Sequence, residues 1–515
     1  MRAIRCHGVM SAAEREAAEA AQPGLGSATR RPAIARASGR VPELLRDRQF
    51  RRYWTGQTVS MVGDQITGVA LPLAAILVLH AKAADMGYLT ALVWLPSLLF
   101  GLHAGAWVDR RGQRRRTMIA ADLGRFALLV TVPVCYALHV LTLGQLFGVA
   151  FAAGVLSVLF NVSDSALFVA VTPARKYLEG NSLIYASRAV SFVAGPSLAG
   201  LLVQALSAPF ALLADALSFV GSAFCLHRIR PPEPPADGGG KGSVTVGARF
   251  IAGSPIVRAS LIGVSVINLF NLMFLTLFLL YAVRTLHVSA GEIGLILGLA
   301  AFGGVIGAAV TKRVADRIGA GWAYVAGCFG FTAPALLVPL AAGPRPLILS
   351  TLFVSEFLIA FGVMVLDISI GSIFAAVIPD AVRSRVSGAF QAVNYGTRPV
   401  GALLGGALGT VIGLRAALWI AAAGGVVGAL LMLPSPLPGF RMPDPADAPD
   451  AADARHRDGD RTGPQREPAK RTAAEPAQAG DRTGPQRNPA GRAAAEPAPA
   501  GDRTDSARER ERRPG

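Results

Sequence analysis

Twelve apolar stretches, most of them about 20 residues or longer, follow one another between positions 53 and 433. In the first half their approximate limits are 53–79, 86–107, 117–138, 143–171, 183–206 and 209–226. In the second they are 256–283, 292–310, 322–342, 347–378, 386–412 and 414–433. A run of that length crosses the hydrocarbon core as a helix, which satisfies its own backbone N–H and C=O groups where no water reaches them. The pattern predicts an all-α membrane protein with twelve transmembrane helices. Only 16% of the residues are charged, against about a quarter in ordinary soluble domains.

The net charge of +17 would by itself suit a nucleic-acid binder. The basic residues, however, sit in termini and short connections rather than among stacking aromatics, so they report topology and no nucleic acid is expected. The even-numbered connections hold seventeen Lys and Arg, five of them between Arg110 and Arg116, whereas the odd-numbered ones hold Lys82, Arg284, Arg345 and Arg415. The positive-inside bias then puts both termini in the cytoplasm and the chain in the cell membrane.

A Pro- and Gly-rich segment at 231–240 divides the twelve stretches into two sets of six. The expected organisation is a disordered leader over 1–46, with a short helix around 11–21, followed by a six-helix bundle over 47–228. A cytoplasmic linker over 229–254 follows, in which 244–253 forms an interfacial helix. A second six-helix bundle covers 255–433, and a disordered tail covers 434–515, with Gly-Asp-Arg-Thr repeated from 459, 480 and 501.

The halves also repeat. Asp109-Arg110-x-Gly112 returns as Asp316-Arg317-x-Gly319, 207 positions later, and Pro173 returns as Pro379, 206 later. Gly195 and Gly200 return as Gly401 and Gly406 at the same 206. Three matches at nearly one spacing indicate duplicated halves, arranged as two parallel bundles about an axis normal to the membrane.

The first of those repeats lies in a short basic hinge, where Gly105 lets a helix end approach a neighbour and Gly112 permits a turn with positive φ. The order Gly105, Asp109, Arg110, Gly112, followed by a run of arginines, resembles the signature loop of the major facilitator superfamily, with Gln113 where Arg or Lys is usual. Other stretches narrow the likeness. Residues 50–60 with Gly63-Asp64-Gln65, Asn181-Ser182-Leu183, and Asp215 with Ser218 and Phe219 resemble the enterobactin-exporter and macrolide-efflux branch. The resemblance covers about 44–433. It implies export of siderophores or drug-like compounds, usually driven by inward proton flow. It further implies that Asp109 closes the cytoplasmic side against the start of the eleventh helix near Val386, and Asp316 likewise near Leu183, with Arg317 and Gly319 completing the second gate.

Charged residues inside a span cost about 2.5–3.5 kcal/mol each on insertion scales, so each needs a partner or a task. In the fold implied by the resemblance, helices one, four, seven and ten line the cavity. They carry Asp64, then Asn161 and Asp164, then Asn268 and Asn271, then Glu356 and Asp367. Glu356 is the leading candidate for a carboxyl that protonates during the cycle; its alternative is a static ion pair with Arg398 on the eleventh helix. Asp64 is equally open to a proton role or to packing against Gln57 or an arginine. Asp122 and Arg125, three apart, read as a local pair. Arg188 and Asp215 read as packing or gate residues. Gly195-Pro196 with Gly200 resembles the glycine-proline element of antiporters, a close contact and a bend where halves slide.

No cofactor or metal is expected. The four cysteines form no C-x-x-C, the histidines show no paired spacing, and no G-x-x-x-x-G-K-[ST] loop occurs. The reading is a monomeric proton-coupled exporter of a small organic compound, working by alternating access. A facilitator or importer on the same fold is the nearest rival. An enzyme or a non-transporting receptor is a further one, without a clustered catalytic site or a folded extramembrane domain to favour it.

Overall fold

The computed structural model describes residues 42–230 and 244–442. The expected leader helix, most of the Pro- and Gly-rich linker and the tail repeats lie outside the described residues. Within them the long elements are all helical. The first half contains α1 (Arg48–Leu77), α2 (Ala83–Arg111), α3 (Arg114–Ala137), α4 (Leu143–Val171), α5 (Tyr177–Leu206) and α6 (Ala208–His227). The second contains α7 (Pro255–Arg284), α8 (Ala290–Ile318, broken at Ala301), α9 (Ala320–Leu340), α10 (Arg345–Val377), α11 (Asp380–Val411) and α12 (Leu414–Leu430). Among the described residues, ten helices are long and apolar enough to cross a membrane. Helix α12 is apolar but has 17 residues, and α11 carries Arg383, Arg385 and Arg398 along its length.

Local chemistry sets the ends of these helices. Asp47 caps α1, its carboxylate accepting from the Gln49 amide at 2.7 Å, and Ser289 with Glu292 forms a reciprocal box at the start of α8. Helix α2 ends at Gly112 with φ 62° and α8 at Gly319 with φ 88°, conformations that glycine adopts without a Cβ clash. Two further pairs of positive-φ turns match across the halves at the repeat offset. His80 (51°) answers to His287 (53°), and Ser207 (88°) to Gly413 (86°).

Burial repeats with the same offset. The buried positions Met118, Ala121, Asp122, Leu129 and Val132 of α3 fall, 206 residues on, upon Tyr324, Gly327, Cys328, Ala335 and Val338 of α9, all buried. Most of those of α6 map the same way onto α12, and most of those of α1 onto α7 with an offset of 207. Packing partners follow suit, with α1 against α5 and α6, and α7 against α11 and α12.

The halves meet through α2 with α11 and α5 with α8. Both crossings rest on glycine against glycine, so that a Cβ on Gly200 would lie 2.7 Å from the Gly294 Cα, and one on Gly406 would lie 2.8 Å from the Gly87 Cα. These contacts sit at the end of the molecule opposite the basic loops. There a single apolar core joins both halves, including Leu73, Ala74, Phe278 and Tyr281. Toward the basic end the halves part. On the face of α5 that meets α8, Ser182, Ala186 and Ala189 are exposed, as are Val305 and Ala309 on the matching face of α8. The apolar clusters at that end each stay within one half.

Two expected boundaries shift. Disorder was expected from 434, yet Leu437 is fully buried, and the Phe440 carbonyl accepts from the Gly321 amide at 3.1 Å, satisfying an orphan donor at the start of α9. At the other end, Glu43–Arg46 is a 3-10 turn rather than leader. Leu44 is buried there and its amide donates to Glu179 Oε1 at 2.9 Å. The helix Val244–Gly253 forms as expected and packs on α11, burying Ile251 beside Val386.

Candidate functional site

The polar residues of α1 lie in a stripe. Tyr53, Gln57, Ser60, Asp64 and Thr67 follow one another at steps of three and four, so they share one helix face over about 21 Å. At its basic end Tyr53 Oη donates to Asp164 Oδ1 of α4 at 2.7 Å, and Gln57 Nε2 donates to the same oxygen. Asp164, placed in the cavity lining by sequence, is thus tied to α1. Asn161, one turn earlier on α4, is exposed.

Further along the stripe Asp64 lies 3.8 Å from Arg125 Nη1 of α3, with its own side chain 54% exposed. Arg125 is buried. Its Nη2 donates to Asp122 Oδ1, and its guanidinium carbon sits 4.5 Å from the Phe160 ring centre and 4.0 Å from that of Phe219. The expected Asp122–Arg125 pair is therefore made, and the arginine left open as a partner for Asp64 is Arg125. Asp215 of α6 is fully buried beside them, accepting from Thr67 Oγ1 at 2.5 Å and from Ser218 Oγ at 3.0 Å. Two atoms of the group, Asp122 Oδ2 and Arg125 Nε, are buried without a hydrogen-bond partner among the described residues. Two carboxylates thus meet one guanidinium, and a third, Asp215, lies within its electrostatic reach.

The second half is arranged differently. The Glu356–Arg398 pair is not made in this structure. Glu356 Oε1 is buried and unpartnered, while Arg398 packs on the rings of Trp94 at 4.2 Å and Tyr395 at 4.6 Å. The acid within electrostatic reach of Arg398 is Asp367. Asp367 lies 11 residues from Glu356 on the same face of α10, about 16 Å along the axis; that separation explains the change of partner. Asn268 donates to the Val264 carbonyl of its own helix at 3.1 Å. Asn271 lines a cavity of about 20 Å³ with Phe270, Phe331 and Ala421, room for about one water.

At the basic end, Gly112 takes the left-handed turn expected of it. The Asp109 side chain is outside the described residues, and Arg110 is exposed. Among the described residues nothing lies within 4 Å of where a Cβ on Gly105 would sit. In the second copy Asp316 is bridged by Lys312 of its own helix at 3.0 Å rather than meeting α5 near Leu183, and Arg317 is exposed. Gly195 packs on Gln65 of α1. The Pro196 carbonyl lies against Gly294 of the other half, so the glycine-proline element does sit where the halves touch.

The α1 stripe is legible in the sequence, since five polar residues at helical spacing stand out in an apolar run. The involvement of Phe160 and Phe219 was not legible, because nothing in sequence spacing links α4 and α6 to α3.

The sequence profile of the transmembrane secretion effector family matches residues 41–455. The chain belongs to this family. It is a multi-pass membrane transporter of the major facilitator superfamily, efflux branch. It is 26% identical over 381 residues to the uncharacterized MFS-type transporter YfiS of Bacillus subtilis, covering 71% of this chain and 87% of that one. It is 25% identical over 387 residues to the multidrug efflux pump Tap of Mycobacterium tuberculosis, covering 70% and 86%. The transporter's fold is similar to that of the nucleoside transporter NupG, with a TM-score of 0.61, 13% identity, and coverage of 75% and 98%. A bacterial homologue of the iron transporter ferroportin in an inward-facing state also has a TM-score of 0.61, with 17% identity and coverage of 75% and 98%.

Proposed function

We propose that the transporter exports a small organic compound, drug-like or siderophore-like, across the cell membrane by alternating access, with protons moving inward in exchange. The observation carrying this reading is the form of the interface. Two pseudo-symmetric crossings close one end, while the matching faces of α5 and α8 are bare at the other. Such an arrangement is one of two states that rocking of the halves interconverts. In this reading all twelve helices span the bilayer as two six-helix bundles. The basic end is cytoplasmic because it bears the Lys and Arg excess, and the present state opens inward. The Tap pumps are named for multidrug efflux, which supports a drug-like organic substrate. Asp109, Asp316 and their loops act as the cytoplasmic gate that forms when the halves rock shut, and the chain works as a monomer.

The reading is tested in inside-out membrane vesicles whose lumen is acidified by respiration, with ethidium as the transported probe. Expression of the transporter should produce ethidium accumulation that nigericin abolishes. Accumulation indifferent to nigericin would remove proton exchange, and equilibration without accumulation would leave a facilitator.

A further inference from the structure

Asp64, Asp122 and Asp215 come from α1, α3 and α6 and share a single cation, Arg125. Asp122 and Asp215 are fully buried and Arg125 is 3% exposed. With one guanidinium present, the group is neutral when one carboxylate is ionised and the other two carry protons. A second ionisation leaves an uncompensated charge inside the membrane, where it is costly. Such groups titrate together rather than one by one.

The geometry distinguishes their roles. Asp122 holds Arg125 through a direct hydrogen bond, and Phe160 and Phe219 hold the guanidinium between their faces. Asp215 is held by Thr67 and Ser218. Asp64 makes the longer of the two ion-pair contacts to Arg125 and is the carboxylate open to its surroundings. Neighbouring elements add Asp164 on α4, with Arg188 on α5 in electrostatic reach of it. Among the described residues, no group of His, Cys, Asp and Glu side chains is arranged to hold a metal ion. The unpartnered carboxylate oxygen Asp122 Oδ2 is an acceptor and nevertheless points to an exchangeable ligand, the smallest being a proton.

We infer that Asp64, Asp122, Asp215 and Arg125 form one proton-exchanging site, with Asp64 passing the proton to and from water and Arg125 as the positioning residue. The step is a proton moving between an Asp64 carboxylate oxygen and water, with no redox change. Rocking that lengthens the Asp64–Arg125 contact favours uptake, and shortening it favours release. This places coupling in the first half rather than at Glu356, and it rests on the antiport reading above.

The ethidium vesicle assay separates the two. Asp64→Asn should lose gradient-driven accumulation about tenfold or more, while ethidium exchange without a gradient persists. Glu356→Gln should keep both. Asp215→Asn removes a like charge, so the pH of half-maximal uptake should fall by about one unit, a tenfold change in proton affinity. Arg125→Met should move it upward, and Arg125→Lys should bring it back toward wild type. Where Arg125→Met does not reach the membrane, Arg125→Lys and Asp215→Asn decide, since the lysine keeps the charge without the guanidinium geometry. If the wild type shows no gradient-driven uptake, the antiport reading itself is lost. If the wild type does but Asp64→Asn matches it, or if Asp215→Asn and the Arg125 variants leave the midpoint unmoved, only the shared site is overturned.

Discussion

Between α1, α3 and α6 the first half holds Asp64, Asp122, Arg125 and Asp215; at the equivalent positions between α7, α9 and α12 the second half holds Asn271, Cys328, Phe331 and Ala421. The backbones agree in their turns, their buried faces and their packing partners, yet one interior is ionic and the other uncharged. The uncharged version shows that this packing needs no charge. Cys328 is fully buried and Phe331, Thr332 and Ala421 close around a space of about 20 Å³. Four ionisable groups in the first half therefore add a desolvation cost that the fold itself does not require, since buried ion pairs are commonly matched or bettered by apolar replacements. In the proposal above, this difference is what sets proton exchange in the interior of the first half.

The contrast is broken most severely at Asp122. Asp122→Ala leaves Arg125 buried without its direct partner, an expected loss of about 3–5 kcal/mol, whereas Cys328→Ala at the equivalent position should cost about 1 kcal/mol. Thermal unfolding of the two purified variants in detergent measures this, and equal losses would mean that the ionic group is not structurally distinct. A smaller effect is expected where the halves are alike. Gly200→Ala and Gly406→Ala each push a Cβ into the backbone of the opposite half, at about 1–3 kcal/mol of overpacking. Both should loosen the closed end to a similar degree, read as increased labelling from outside of a cysteine placed at Ser197. A response from one crossing alone would end the claim of equivalence. The smallest effect belongs to the surface. Glu43 meets Lys176 at 3.0 Å, and that hydrogen bond holds its carboxyl below the usual carboxylate range. A lowered pKa contributes above the unfolded value and is lost as pH falls through the folded one. Glu43→Gln should thus differ slightly from wild type near neutrality and converge with it below about pH 4. A difference that grows on acidification would reverse the sign.

The amino-acid sequence by itself determined the helical class, the internal repeat and the glycine turn at Gly112. Apolar length, Lys and Arg asymmetry and the offset of 206 or 207 are properties of local segments, and a bilayer leaves a segment few alternatives. It also made the Asp122–Arg125 pair readable, because residues three apart on a helix are neighbours whatever surrounds them. The tertiary structure decided which distant charges meet. Arg398 faces Asp367 and two aromatic rings instead of Glu356, and Arg125 gathers Asp64 alongside Asp122, with Asp215 close by. The burial of Leu437, and the Phe440 carbonyl that meets the start of α9, were likewise beyond local reading. Such partners depend on how each helix is rotated and how far it slides against its neighbours. Those two quantities are fixed by packing over whole faces, and no spacing within one segment encodes them.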